Sequence, residues 1–224
     1  MRIAARAGVV LSIMLTVAMG WPAAVGAAER VGKKPPSVPA EEYPLYDLVV
    51  QSKYLASGTT LVLVERLTVA REEHDGRGYL SRAFFEEQNV FGGRLPAALL
   101  DDFFFKLAAP SRLEAKFGFG VRYRFFSNGV PEEPEVSLAP IPVASSPRRA
   151  QEAPQAIGVL RFSRVGFTPR EDQALVYVEE ERPDGTGGGL VAWCHRRGRV
   201  WAVTDTEVLW VARTDEPEPE METP

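Results

Sequence analysis

The chain has 224 residues, 45% apolar and 25% charged, enough for one well-buried domain and short for two. Those values exclude a wholly disordered chain, a fibre and a many-helix membrane protein. With 26 Lys and Arg against 30 Asp and Glu, a net charge of -4 and no basic tail, the chain lacks the positive surface of a general nucleic-acid binder.

The N-terminus carries Arg2 and Arg6, an apolar run from Ala7 to Met19, then Gly20 and Pro22 as breakers. That is the layout of a signal peptide. The run is too short to span a bilayer, which takes roughly 18 residues or more. The small residues Ala23 to Ala28 place cleavage after Ala27 or Ala28, so residues 1–28 are expected to leave on export to the periplasm or beyond. Contact with a membrane is then confined to this transient segment. Without Arg2 and Arg6 the basic count falls to 24 against 30 acids, giving a mature charge of -6.

Residues 29–42, with Lys33, Lys34, Pro35, Pro36 and Pro39, read as a flexible leader, and order is expected to begin near Tyr43. Pro44 suits a first helical turn, and Tyr46, Val49, Val50, Lys53 and Tyr54 share a face ending before Gly58. Thr60 to Val69 is β-branched and apolar, a strand covered on both faces. After a loop at His74 to Gly78, Tyr79–Gln88 and Pro96–Leu107 carry helical periodicity, the second with Leu99, Leu100, Phe103 and Leu107 in one stripe. Phe117, Phe119, Val121, Tyr123 and Phe125 alternate with Gly118, Gly120, Arg122 and Arg124, the period of a strand with one buried face.

From Pro131 to Pro154 there are six prolines in 24 residues, so residues 129–155 read as a solvated excursion inserted in one domain, 43–213. Four strand-like runs follow, Ile157–Phe167, Ala174–Glu180, Leu190–His195 and Val200–Arg213, with connections short enough for an antiparallel meander. Residues 214–224 alternate acids with prolines and read as a disordered tail.

The run Phe162-Ser163-Arg164-Val165-Gly166-Phe167, then Gln173 to Val178 (QALVYV), Gly187-Gly188-Gly189 and a closing Trp210 resembles a family of uncharacterised exported bacterial proteins. The resemblance is good over about residues 157–212 and looser over the opening helix and Leu61–Val69; it implies a shared fold and no particular activity. The chain departs from the pattern at Gly198-Arg199-Val200-Trp201, one residue longer than the family's N-G-K-W turn. It departs again at Asp184, Gly185 and Thr186, where some relatives carry cysteines, so no redox role carries over.

Catalytic chemistry finds little material. His74 and His195 lie 121 positions apart, and the adjacent Cys194 and His195 point to opposite faces of a strand, so neither a metal site nor a thiol–imidazole dyad is expected. Cys194 reads as a small buried hydrophobe. Ser163 lacks the surroundings of a hydrolase nucleophile. Asp184-Gly185 reads as a hairpin turn rather than a calcium loop. Gly187 to Gly189 read as a loop that takes positive φ or passes close beside an aromatic ring. Arg161, Arg164, Arg196, Arg197 and Arg199, with Trp193 and Trp201 nearby, form the one basic concentration. Arg164, flanked by the apolar Val165 and Phe167, needs a carboxylate if buried, and Glu65, Glu179 or Asp205 are the expected partners.

The expected architecture is α+β: an antiparallel meander of five to six strands with two to three helices packed on one face, a layout similar to cystatin-like or NTF2-like folds. The expected function is a non-enzymatic binding module for a protein partner or small ligand in the cell envelope, without cofactor or metal, through Ser163, Arg164, Tyr177, Gly187, Gly188 and Gly189. The alternatives are an envelope enzyme using carboxylates or tyrosines, and an assembly module acting through the proline-rich excursion and acidic tail.

Overall fold

Pro44, with no amide hydrogen to leave unpaired, stands in the first turn of helix α1 (Tyr43–Lys53), where the fixed φ of proline fits. The computed structural model describes residues 34–71, 78–127, 129–132 and 156–213. The signal segment, the first part of the leader, the loop at His74, residues 133–155 of the proline-rich excursion and the acidic tail lie outside the described residues; the start of the excursion is not solvated loop, since Val130 and Pro131 pair with β-strand residues Ser127 and Phe126. Folded structure begins before Tyr43: Ser37 bridges Arg112, Val38 is buried, and a short 3-10 turn at Ala40–Glu42 leads into α1. The remaining elements are β1 (Leu61–Glu65), α2 (Arg82–Glu87), α3 (Ala97–Lys106), β2 (Arg122–Ser127), β3 (Val130–Pro131), β4 (Ala156–Phe162), β5 (Gly166–Phe167), β6 (Gln173–Glu181), β7 (Gly187–Arg197) and β8 (Val200–Ala212). Ser81 caps α2, its hydroxyl accepting from the Phe84 amide at 3.2 Å.

The strands form one mixed eight-stranded sheet in the order β3-β2-β1-β4-β6-β7-β8, with β5 added alongside β6. This corrects the expected antiparallel meander of five to six strands and the cystatin-like or NTF2-like layout. Only β4 to β8 follow the hairpin logic, with β6–β7 and β7–β8 in antiparallel register. Strand β1 lies parallel to both β2 and β4. Its run Leu61-Val62-Leu63-Val64 is the near-continuous apolar pattern of an interior parallel strand. Parallel neighbours need long crossovers, and the β1-to-β2 crossover contains α2 and α3. The β1–β4 pairing also unites the segments before and after the proline-rich excursion in one sheet.

The helices are divided between the two faces, not gathered on one. Side chains Ala174, Val176 and Val178 of β6 face a core built with Tyr46, Val49 and Val50 of α1, whereas Leu175 and Tyr177 face a second core with Phe85 of α2 and Leu99 and Phe103 of α3. Because successive strand residues point to opposite faces, this double cover buries β6 continuously from Ala174 to Glu179. Each fully buried aromatic or leucine contributes about 1.5–3 kcal/mol.

Two further local expectations change. The aromatic alternation from Phe117 to Phe125 does mark a core face, but ladder pairing starts only at Arg122; Gly118 instead donates its amide to Asp47 Oδ1 at 2.8 Å, and Gly120 takes φ 81°. The triple glycine is strand, not loop. Gly189 pairs with Glu179 and Trp210 within β7, and the position is glycine because a Cβ there would sit 2.2 Å from Trp210 Nε1 and 2.3 Å from the Tyr177 hydroxyl. The close passage of aromatic rings was the sound half of the expectation. The tight turn falls at Asp184-Gly185 as read from sequence, with Gly185 at φ 79° and Asp184 Oδ1 accepting from the Thr186 amide.

Strand β8 carries two bulges, since Trp193 pairs with Asp205 and Cys194 with Val203, while Gly189 pairs with Trp210 and Leu190 with Val208. Thr204 and Leu209 are the extra residues. They reverse the facing of the stretch between them, turning Asp205 and Glu207 to the second face, where they meet Arg94 and the Phe91 amide, while Trp201 and Val203 join the first core and Trp210 the second. Gly189→Ala is expected to cost about 1–3 kcal/mol by overpacking against Tyr177 and Trp210, and Gly188→Ala less, since its Cβ would meet no heavy atom closer than 3.2 Å; urea unfolding of the two variants checks this order.

Candidate functional site

The chain breaks between β4 and β5 at Ser163–Val165, and the break is held by side chains from three other elements. Ser163 stays tied to β6: its amide donates to the Tyr177 carbonyl and its hydroxyl accepts from the Tyr177 amide, both at 2.9 Å. Arg164 turns the other way and meets Glu42, its Nη2 donating to Oε1 at 2.7 Å and its Nε to both carboxylate oxygens at 3.0 Å. Arg164 Nη1 also donates to Ser111 Oγ at 3.0 Å. The partner is therefore Glu42, not Glu65, Glu179 or Asp205.

Glu42 is 1% exposed and also accepts from the Val165 amide and the Tyr46 hydroxyl, both at 2.9 Å. A buried carboxylate is tolerated only when so many donors replace water. For Arg164, burial alone would lower the pKa, but the hydrogen bonds and charge of Glu42 outweigh it and raise it further. Burial pushes the Tyr46 hydroxyl well above the usual tyrosine range, with the Glu42 charge adding to the effect.

Arg164 forms one wall of a cleft of about 470 Å³ between Pro39–Glu42, α3, the β5–β6 turn and the start of β8. From α3, Lys106 Nζ reaches Asp102 at 2.7 Å and the Val165 carbonyl at 2.9 Å, and Asp102 Oδ2 accepts from the Phe167 amide at 2.7 Å. Gly166 makes that approach possible, since a Cβ on it would lie 2.6 Å from Phe103 Cβ. Phe167 and Trp201 form the aromatic lining, their ring centroids 6.0 Å apart, and the exposed Arg196 lays its guanidinium over Trp201 at 5.5 Å. In the β5–β6 turn, Glu171 takes the left-handed φ of 50°, with Thr168 Oγ1 donating to Asp172 at 2.6 Å.

The six residues singled out from sequence do not converge. Ser163 and Arg164 sit at the cleft, Ser163 buried beneath it. Tyr177 belongs to the opposite face, where its hydroxyl donates to Glu179 Oε2 and accepts from Trp210 Nε1, both at 2.6 Å, over Gly189. Burial, followed by the Glu179 charge, raises its pKa far above the usual range. Gly187 and Gly188 border a more open hollow of about 740 Å³ at the far end of β7, with Arg182, Asp184 and Val211. The basic concentration separates too: Arg161 pairs with Glu179 at 3.1 Å on the second face, away from the Arg164–Glu42 pair.

Sequence reasoning missed Glu42, placed in the leader, although it stands one helical turn before Tyr46. Asp102 and Lys106 showed their i, i+4 spacing off the apolar stripe of α3. Cys194 is buried as read, and burial pushes its thiol up to about 12. Among the described residues no group of three or more His, Cys, Asp or Glu is placed to hold a metal ion.

Comparison of the chain with protein-family models, with curated proteins and with solved structures finds no match in any of the three.

Arg164→Ala leaves the Glu42 charge buried without its main partner and is expected to cost about 3–5 kcal/mol in urea unfolding. Adding Glu42→Ala should cost less than the sum of the two single losses, the coupling that a shared buried pair produces. At alkaline pH the direction is also fixed. Cys194, Tyr46 and Tyr177 all ionise at higher pH folded than unfolded, so the stability they contribute is complete below the unfolded thiol value of about 8.5. It is lost as pH rises from there towards the folded values, because only the unfolded chain releases those protons. The urea midpoint is expected to fall steadily above about pH 9, with Cys194→Ala delaying the onset.

Proposed function

We propose that the protein is an exported, non-enzymatic binding module of the cell envelope, and that its ligand or partner occupies the cleft bounded by Glu42–Arg164, α3 and Trp201. One observation carries the reading: two cations of the cleft are fixed in advance, Arg164 by Glu42 and Lys106 by Asp102. Groups held in fixed ion pairs keep a recognition surface preorganised, which lowers the ordering cost of binding. General acid–base catalysis instead calls for a group poised to gain and lose a proton near the working pH. The paired aromatics Phe167 and Trp201 add contact area of the kind that dominates binding energy.

The mature chain, purified without denaturation, is expected to retain a small molecule or partner detectable by mass spectrometry. Trp201→Ala should reduce that retention at least about tenfold, as loss of a contact worth about 1.4 kcal/mol or more would, and Arg196→Ala should change it measurably. Arg196→Ala should leave the urea midpoint unchanged, since its side chain is exposed. Retention unaffected by both substitutions would place the ligand elsewhere.

A further inference from the structure

Resting on that reading, the chemistry of the ligand follows from which cleft groups are already satisfied. Arg164 is held by Glu42 and Ser111, and Lys106 by Asp102 and the Val165 carbonyl. Arg196 is drawn over the Trp201 ring. The two other charged groups of the lining are Glu41 and Glu171, both exposed carboxylates without a partner among the described residues. An anion entering here meets two open carboxylates against one cation without a carboxylate partner, Arg196. A cation meets the reverse.

Apart from Thr168, whose hydroxyl is given to Asp172, the rest of the lining is apolar: Pro39, Ala98, Phe167, Pro169 and Trp201. A volume of about 470 Å³ lies within the range that encloses a body of drug size, and the cleft is open to solvent along one side. Aromatic and proline side chains beside free acids suit an extended segment whose apolar residues lie on the rings while a basic side chain reaches the carboxylates. We infer that the cleft takes a basic, apolar-flanked peptide segment of a partner protein, its lysine or arginine held by Glu41 and Glu171 and its backbone lying across Phe167 and Trp201.

The test uses the full mature chain, with acetyl-Pro-Arg-Pro-amide as probe and acetyl-Pro-Glu-Pro-amide as control. Proton–nitrogen correlation spectra follow the Trp201 indole, assigned through Trp201→Phe. The arginine peptide should shift that signal saturably and bind more weakly as salt rises. Glu41→Gln and Glu171→Gln should each weaken it about threefold, the scale of an exposed ion pair, with unchanged urea midpoints. Equal or tighter binding of the glutamate peptide, or indifference to both substitutions, overturns the inference. If Trp201→Ala releases a natively retained ligand while the arginine peptide stays silent, the charge assignment falls and the binding cleft stands. If retention is independent of Trp201 and the peptide is silent as well, both fall.

Discussion

A single buried carboxylate, Glu42, organises the end of the molecule where the cleft lies. Three parts of the chain meet on it: the segment entering α1, the first turn of α1 through Tyr46, and the break between β4 and β5 through Arg164 and the Val165 amide. Removing two charges from water costs several kcal/mol per ion, so the pair does not make the protein stable merely by existing. Its effect is one of arrangement. With Glu42 fixed, the β4–β5 break has one geometry, and Arg164 can face the cleft without being free to move into it.

The sheet supplies the rigid frame around that node. Strand β6 is covered on both sides, so side chains on its two faces are held by independent packing, α1 on one and α3 on the other. Glycines let the layers meet closely at two points, Gly166 under Phe103 and Gly189 under Tyr177 and Trp210. The first brings α3, with Asp102 and Lys106, onto the cleft. The second closes the opposite core over the Tyr177–Glu179 hydrogen bond, which puts the most strongly perturbed tyrosine of that face inside the protein rather than in a solvent-filled site.

What could be read from the sequence was whatever local period determines. Helices α1 to α3, the strands β6 to β8 and the turn at Asp184-Gly185 all followed from apolar spacing and turn chemistry. The placement of β1 between two parallel neighbours did not, because a parallel pairing is made by a long crossover that leaves no local signature beyond an unusually apolar strand. The same limit governed the site. Arg164 was recognised as needing a carboxylate, yet the one it found stands 122 positions away, in a stretch whose prolines and lysines read as leader. Gly187 to Gly189 were misread as a loop because glycine marks freedom in sequence, whereas here it marks a lack of room.

Strand β8 illustrates a different consequence. Thirteen residues long and last in the sheet, it presents the kind of open border onto which another copy of a chain can add. Its two bulges divide it into stretches of four, four and three residues in step with β7, namely 200–203, 205–208 and 210–212. A straight incoming strand could follow one stretch but would fall out of phase at the next, so the growing seam gains few bonds before it must stop. The irregularity that turns Asp205 and Glu207 towards Arg94 and the Phe91 amide thus also leaves the border of β8 a poor template for pairing with a straight strand.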